Sequence, residues 1–158
     1  MKRTETRQAK IGRITIGGQN KVLIQSMCKH KTSHVEEVVK EINECAKLGA
    51  DMMRVSILDE EDAQAIKEIK KQIKIPLIAD IHFNGDFAIQ AIKNGVDKIR
   101  LNPGNISDEA KIKEIVELAK KKHVVIRVGA NSGSVSQEFA DADIPLAHKL
   151  LLSAKKRV

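Results

Sequence analysis

The chain has 158 residues, of which 42% are hydrophobic, so it can form one ordinary domain with its own core. Aromatic residues make up only 2%, and this shortage argues against the base-stacking surfaces of RNA and single-strand binders, so we expect no nucleic-acid partner. The net charge of +7 favours anionic partners, although many of the lysines lie at helical spacing beside glutamates, as expected for solvated helix faces.

The cysteine content and the apolar runs bear on the cellular compartment. Cys28 and Cys45 are the only cysteines, and their spacing fits no metal or redox motif. The N-terminus is polar and basic, unlike a secretory signal, and no apolar run reaches the roughly 18 residues of a membrane-spanning helix. We therefore expect a cytoplasmic protein that does not enter a membrane.

The predicted elements begin with a hairpin and then alternate between strand and helix. Residues 10–23 predict a small hairpin that turns at Gly17 and Gly18. Strands are predicted at residues 22–27, 52–57, 76–81, 98–101 and 124–128. Helices are predicted at residues 34–48 (with Thr32 or Ser33 as the N-cap), 60–73, 86–93, 108–122 and 145–155.

Five successive strand–helix units predict parallel strands with right-handed crossovers, hence an α/β protein. The segment KLGADMMRV at residues 47–55 recurs as KNGVDKIRL at 93–101, and Gly49 and Gly95 are the expected left-handed helix ends. An eight-unit (β/α)8 barrel usually needs about 250 residues. Two architectures stay open on this evidence: about five units of a partial TIM-type barrel, or a complete, open doubly wound sheet.

Polar side chains interrupt the predicted strands near their C-terminal ends, at alternate positions that share one face. The residues are Arg54, Ser56, Asp80, His82, Arg100, Asn102 and Arg127, with Asn131 shortly after the last strand. Ligand sites of such folds lie at these strand ends, and arginine suits phosphate oxygens, so the pattern predicts a pocket for a multiply charged anion. The alternative is that each arginine pairs with a carboxylate, but only Asp80 in this set carries a negative charge.

Three loop features add weaker signals. The turn at residues 102–105 (NPGN) and the small-residue loop at 129–134 (GANSGS) could present backbone N–H groups to an anion. Neither loop matches a Walker A or dinucleotide fingerprint. Cys28 follows the first strand, and we expect an unreactive, partly buried thiol because no base is evident nearby.

Several of these segments together resemble the 4-hydroxy-3-methylbut-2-en-1-yl diphosphate synthase family of the methylerythritol phosphate route to isoprenoids. The matching segments, in order, are IQSM at 24–27, RVS at 54–56, PLIADIHF at 76–83, IRLNPGN at 99–105 and IRVGANSGS at 126–134. The resemblance therefore runs through nearly the whole chain. It implies that this chain is the N-terminal part of a TIM-type barrel.

The resemblance also implies a function. Members of the family reductively convert 2-C-methyl-D-erythritol 2,4-cyclodiphosphate to 4-hydroxy-3-methylbut-2-enyl diphosphate, with electrons from ferredoxin or flavodoxin, and work as homodimers. Matched motif by motif, Arg54, Arg100 and Arg127 would bind the diphosphate, and Asp80, His82, Asn102 and Asn131 would line the same pocket. A C-terminal domain would carry a [4Fe–4S] cluster on three cysteines and one glutamate.

The sequence departs from the family pattern in two places. Cys28 and His30 stand where the family usually has threonines, and the two cysteines of this chain cannot supply the cluster ligands, so we expect the C-terminal iron–sulfur domain to be absent. Three hypotheses follow: an N-terminal portion of the enzyme that is inactive alone, a non-catalytic phosphate- or diphosphate-binding half-barrel module, or a poorly folding remnant with an unpaired fifth strand.

Overall fold

The computed structural model describes residues 5–82, 84–102, 108–129 and 131–156. Within these ranges the structure has seven strands and six α-helices, which follow the predicted strand–helix order except for a short helix at residues 137–140 that was not predicted. The strands are β1 Ala9–Ile11, β2 Ile14–Ile16, β3 Gln25–Met27, β4 Met52–Ile57, β5 Leu77–Ile81, β6 Lys98–Leu101 and β7 Val125–Val128. The helices are α1 Val35–Lys47, α2 Glu60–Gln72, α3 Gly85–Lys93, α4 Glu109–Lys122, α5 Gln137–Ala140 and α6 Leu146–Lys155.

Strands β3 to β7 form one parallel sheet in which the spatial order equals the chain order. A doubly wound sheet reverses its strand order at a switch point, whereas a barrel adds each new strand on the same side. The topology is therefore that of a partial TIM-type barrel, as predicted, and the open doubly wound alternative is wrong. The antiparallel pair β1–β2 precedes this sheet.

The outer face of the sheet packs against the helices and holds the main hydrophobic core. Its side chains, which are at most 8% exposed, are Met53, Val55, Ile57, Leu77, Ala79, Ile81, Ile99 and Leu101. They meet aliphatic side chains of the helices, including Val38, Ile66, Ile92 and Ile115. Each fully buried aliphatic side chain stabilises the fold by roughly 1.5–3 kcal/mol. This packing fixes which side chains point the other way.

The inner face, defined by Arg54, Asp80 and Arg100, carries the buried apolar residues Met52 and Ile78 near the start of the strands and Met27 beside Arg54. The hairpin β1–β2 lies at this N-terminal edge, with Ile11 fully buried. A Cβ atom on Gly12 would lie 2.8 Å from Asp97 Oδ1 and 3.5 Å from Pro76 Cγ. The hairpin turn is thus seated against the residues that precede β5 and β6.

The predicted hairpin turn at Gly17 and Gly18 is wrong. Ile11 pairs with Ile14, so the turn consists of Gly12 and Arg13, and Gly12 takes the positive φ of 56° that glycine allows. Gly17 and Gly18 bend the chain after β2 instead. The N–H of Gly18 donates to the Thr6 carbonyl at 3.1 Å.

The first strand of the parallel sheet is shorter than the predicted residues 22–27. Pairing with β4 begins only at Gln25, and Val22 and Ile24 are 72% and 61% exposed. The N–H of Ile24 donates to the Asp51 side chain at 2.8 Å rather than to a neighbouring strand. The Ile24 carbonyl still accepts from the Met52 N–H of β4 at 3.3 Å, so only the N–H side of this position lacks a strand partner.

The predicted N-cap of the first helix, Thr32 or Ser33, is also wrong. The helix begins at Val35, with His34 at the N-cap and no side-chain capping bond. The Thr32 hydroxyl donates to the Ser56 carbonyl at 2.5 Å, and the Ser33 N–H donates to Asp62 Oδ1 at 2.8 Å. Both residues therefore bind the neighbouring strand–helix unit, β4 and α2. These tertiary hydrogen bonds replace the local bond that a capping side chain would make to the start of the helix.

The helix ends of the internal repeat agree with the prediction. Gly49 and Gly95 have φ angles of 99° and 94°. His123 ends α4 with a φ of 56°, so a left-handed residue ends this helix as well. Each turn returns the chain to the N-terminal edge of the sheet, so every strand runs in the same direction.

We predict that Asp62→Ala destabilises the protein, because it removes the acceptor that connects the loop before α1 to the end of β4 at the C-terminal edge of the sheet. Asp62 is fully buried and accepts from the Ser33 N–H at 2.8 Å and the Leu58 N–H at 3.1 Å. Each donor left without an acceptor costs about 1–3 kcal/mol. Urea denaturation should show the loss, and Glu61→Ala, which changes an exposed neighbour in α2, should have a much smaller effect. Equal losses would contradict this role.

Candidate anion-binding site

The polar side chains predicted from the sequence meet at the C-terminal ends of the strands. Asp80 is in register with Ser56 on one side and with Arg100 on the other, and Arg100 is in register with Arg127. Residues in register on parallel neighbours point to the same face of a sheet. The inner face therefore carries Arg54, Asp80, Arg100 and Arg127 on four consecutive strands.

Asp80 joins two of these arginines. Its carboxylate is 3% exposed, and Oδ1 accepts a hydrogen bond from Arg100 Nη1 at 2.9 Å. Oδ2 lies 3.6 Å from Arg54 Nε. One buried carboxylate thus balances only part of two guanidinium charges, and the site keeps a positive excess.

The remaining contacts of these arginines leave donors available. Arg54 Nη2 lies 3.0 Å from Met27 Sδ, a weak acceptor, and the buried Arg54 Nε has no hydrogen-bond acceptor among the described residues. Arg100 Nη2 donates to the Gly129 carbonyl at 3.4 Å. A guanidinium group has five N–H donors, so both arginines can bind further oxygen atoms.

Arg127 is placed beside Arg100 but is exposed on the last strand of the described sheet. Its side chain makes no hydrogen bond or ion pair with the residues for which the structure gives a position. His82 and Asn102 directly follow β5 and β6 at the same edge, partly buried and 8% exposed respectively. Asn131 is exposed, and its side chain accepts from the Gly133 N–H at 3.1 Å.

The structure therefore brings the seven predicted residues to one edge without joining all of them. Asp80, Arg54 and Arg100 are in direct contact, and Arg127 is adjacent by register. The Asn131 side chain accepts a hydrogen bond within its own loop, from the Gly133 N–H. The predicted turn at Pro103, Gly104 and Asn105 lies outside the described residues, as does Ala130 of the second loop.

Lys98 is a residue of this face that the sequence analysis missed. It is 6% exposed and lies two positions before Arg100, in register with Ile78 and Val125. Burial lowers the pKa of its ammonium, and the charges of Arg127 and Arg54 lower it further. The signal in the sequence is the two-residue period that Lys98 shares with Arg100, and Lys98 is also the first residue of the predicted strand 98–101.

Gly129 gives Arg100 the space it occupies. A Cβ atom on Gly129 would lie 2.9 Å from Arg100 Nε and 3.6 Å from Cζ. The Gly129 N–H continues the sheet by donating to the Leu101 carbonyl at 3.1 Å. The sequence analysis interpreted Gly129 only as part of a small-residue loop, because the close approach of Arg100 depends on the fold.

The cysteines do not form a metal site in the described structure. Cys28 is 9% exposed, and burial, followed by Glu41 and Cys45, raises the pKa of its thiol to about 12. The described residues include no group of three or more His, Cys, Asp or Glu side chains that could hold a metal ion. A [4Fe–4S] cluster takes about four such ligands, so the described residues do not fit one.

A separate cavity of about 980 Å³ lies at the opposite, N-terminal edge of the sheet. Gly12 of the hairpin, Asp97 before β6 and His123 after α4 are among its lining residues. Ligands of barrel-type domains bind at the C-terminal edge. The arginine cluster, not this cavity, is therefore the candidate site.

Within the described ranges, no helix has the length and apolar composition that a membrane-spanning segment requires.

Consecutive parallel strands that add in chain order define a barrel-type domain, and the cationic cluster at their C-terminal ends is its candidate anion site. The chain belongs to the GcpE TIM-barrel domain family, whose model matches residues 6–158. The family that the sequence motifs indicated is thereby confirmed.

Curated relatives agree with this family. The chain is 43% identical over 156 residues to a protein of Malacoplasma penetrans, covering 99% of this chain and 43% of the relative. It is 49% identical over 139 residues to one of Bacillus subtilis, covering 88% and 37%. Both are named 4-hydroxy-3-methylbut-2-en-1-yl diphosphate synthase (flavodoxin). The chain thus spans about two fifths of the length of these relatives.

Solved structures of low sequence identity share the fold. A phospho-2-dehydro-3-deoxyheptonate aldolase of Thermotoga maritima superposes with a TM-score of 0.65 at 13% identity, covering 97% of this chain and 43% of that chain. A 7,8-dihydropteroate synthase of Vibrio fischeri gives a TM-score of 0.58 at 12% identity, covering 96% and 62%. These similarities support the barrel topology alone.

We predict that Gly129→Ala weakens the binding of inorganic diphosphate by about tenfold, because the added methyl group displaces Arg100 from Asp80 at a cost near 1.4 kcal/mol. Titration calorimetry would measure the affinity. Gly133→Ala is the matched control, since among the described residues its Cβ would meet only Asn131 Oδ1, at an ordinary contact distance of 3.6 Å. Similar affinities for the two variants would contradict the role of Gly129.

We predict that Cys28 resists alkylation in the folded chain. A thiol pKa of about 12 instead of 9.0 reduces the thiolate fraction at pH 8 by about 1,000-fold. Mass spectrometry after iodoacetamide treatment at pH 8 should show modification of Cys45 first, and both cysteines should react rapidly in urea. Fast native modification of Cys28 would show that the thiol is accessible and reactive.

Proposed function

We propose that this chain is the substrate-holding barrel portion of a 4-hydroxy-3-methylbut-2-en-1-yl diphosphate synthase. The substrate would be 2-C-methyl-D-erythritol 2,4-cyclodiphosphate, and the whole enzyme would reduce it to 4-hydroxy-3-methylbut-2-enyl diphosphate. The observation that carries the proposal is the arrangement of Arg54 and Arg100 around the single buried Asp80, which keeps a positive excess at the ligand-binding edge of the barrel. The names of the curated relatives support the substrate class.

In this proposal all three arginines bind the diphosphate. Arg54 and Arg100 are already oriented by Asp80, so their remaining N–H donors are preorganised for diphosphate oxygens. Arg127, which is exposed beside Arg100, would approach the same diphosphate from the last described strand. His82, Asn102 and Asn131 would line the pocket and contact the remainder of the substrate.

The reduction itself would need groups beyond those described. We propose that a [4Fe–4S] cluster held outside this chain supplies the electrons, because the described residues do not fit such a cluster. Flavodoxin, which the names of the relatives specify, or ferredoxin would be the electron donor. The intact enzyme would act as a homodimer in the cytoplasm, and this chain alone would be inactive.

A second candidate is a non-catalytic module that binds phosphate or diphosphate. It is favoured by one observation: Arg54, Asp80 and Arg100 form their contacts entirely within this chain. Such a module would bind inorganic diphosphate as tightly as the cyclodiphosphate, because the remainder of the substrate would add no contacts. The two candidates therefore differ in ligand preference.

We predict that Arg100→Ala weakens cyclodiphosphate binding by about 10- to 100-fold, since a charge-assisted hydrogen bond contributes about 1.5–3 kcal/mol. Titration calorimetry of the 158-residue chain would measure the affinity, which should also fall as salt is added. Arg13→Ala removes the same charge from the exposed hairpin turn and serves as the control.

The outcome separates the two candidates. Tighter binding of the cyclodiphosphate than of inorganic diphosphate supports the synthase assignment, and equal binding supports the module. If Arg100→Ala binds the cyclodiphosphate as tightly as the unmodified chain, the arginine cluster is not the substrate site.

A further inference from the structure

Lys98 has an unusual environment for a lysine. It lies on the inner face of β6, where 94% of its surface is buried, as its exposed fraction of 6% shows. Its register partners Ile78 and Val125 are apolar. Among the residues that the structure describes, none forms a hydrogen bond or ion pair with its ammonium. Lysines are almost never buried in this way without a partner.

The charged groups that face Lys98 do not neutralise it. Arg54 on β4, Arg100 on β6 and Arg127 on β7 share its sign, and Arg127 and Arg54 are near enough to disfavour its charged form. Asp80 on β5 is already engaged by Arg54 and Arg100. The inner-face residues of β3, Gln25 and Met27, carry no charge. The described inner face therefore holds four cations and one carboxylate.

Retaining a lysine at this position has a cost. An unpaired ammonium removed from water destabilises the folded state, and an apolar side chain of similar length would pack at the same position without that penalty. Most of the side chain is buried, and only a small part of the ammonium reaches water, because Lys98 Nζ is not among the described polar atoms that are fully buried without a partner. An anion bound among the arginines would remove the imbalance.

We propose that Lys98 is a fourth ligand-binding cation of this site, lying beneath the arginines, and that its ammonium binds a phosphate oxygen of the diphosphate. The inference rests on the proposed function, because it requires that a diphosphate occupy the inner face. It adds a position two residues before Arg100, at the floor of the site, to the three arginines at its rim. The ligand would thus be held from below as well as from the strand ends.

If the proposal is correct, Lys98 lowers the stability of the free chain and raises the stability of the diphosphate complex. Lys98→Met should therefore raise the melting temperature of the chain by about 3 °C or more and weaken inorganic diphosphate binding by about tenfold or more. A residue with a purely structural role would not change these two quantities in opposite directions.

The experiment compares thermal melts and titration calorimetry with inorganic diphosphate for the 158-residue chain and three variants. Lys98→Arg retains the charge and should keep more of the affinity than Lys98→Met does. Lys113→Met removes an exposed lysine from α4 and should change neither property. Arg100→Ala, measured alongside, reports on the proposed function separately.

Each outcome decides the question. Unchanged diphosphate affinity in Lys98→Met, with affinity lost in Arg100→Ala, would overturn the role of Lys98 and leave the proposed function standing. A lower melting temperature, or failure of Lys98→Met to fold, would show a structural role and contradict the proposal. If the unmodified chain does not bind diphosphate, the proposed function and this inference both fail.

Discussion

The shared carboxylate of Asp80 is the interaction on which the site depends. Buried between β4 and β6, it accepts from Arg100 at 2.9 Å and lies 3.6 Å from Arg54, so it sets the position of both guanidinium groups. Two arginines on the strands that flank β5 would repel each other without it. With it, they remain close together and still carry a net positive charge, which is the condition for binding a multiply charged anion.

This arrangement is possible because the two faces of the sheet have different environments. The outer face packs Met53, Val55, Ala79 and Ile99 against the helices and provides the stability of the domain. The inner face is thereby available for charged groups at the C-terminal edge. The arginine cluster is costly to retain in the fold, and the core on the opposite face offsets that cost.

Much of the architecture could be predicted because it depends on local patterns. The strand–helix alternation, the positive φ angles at Gly49 and Gly95 and the shared face of Arg54, Asp80 and Arg100 all follow from periods of two and 3.6 residues or from backbone sterics. The errors occurred at the hairpin turn, at the start of β3 and at the first helix cap. At the cap, Thr32 and Ser33 bind the next strand–helix unit, a tertiary contact that the local pattern does not show.

The sequence by itself determined the family, the parallel α/β class and which residues lie at the binding edge, because each depends on the order and spacing of side chains along one chain. Only the tertiary structure decided that the strands add in chain order, that Asp80 is shared by two arginines, that Gly129 makes room for Arg100 and that Lys98 is buried beneath them. These features depend on distances between residues far apart in the chain, and side-chain spacing in a sequence, which can place residues on a common face, does not fix such distances.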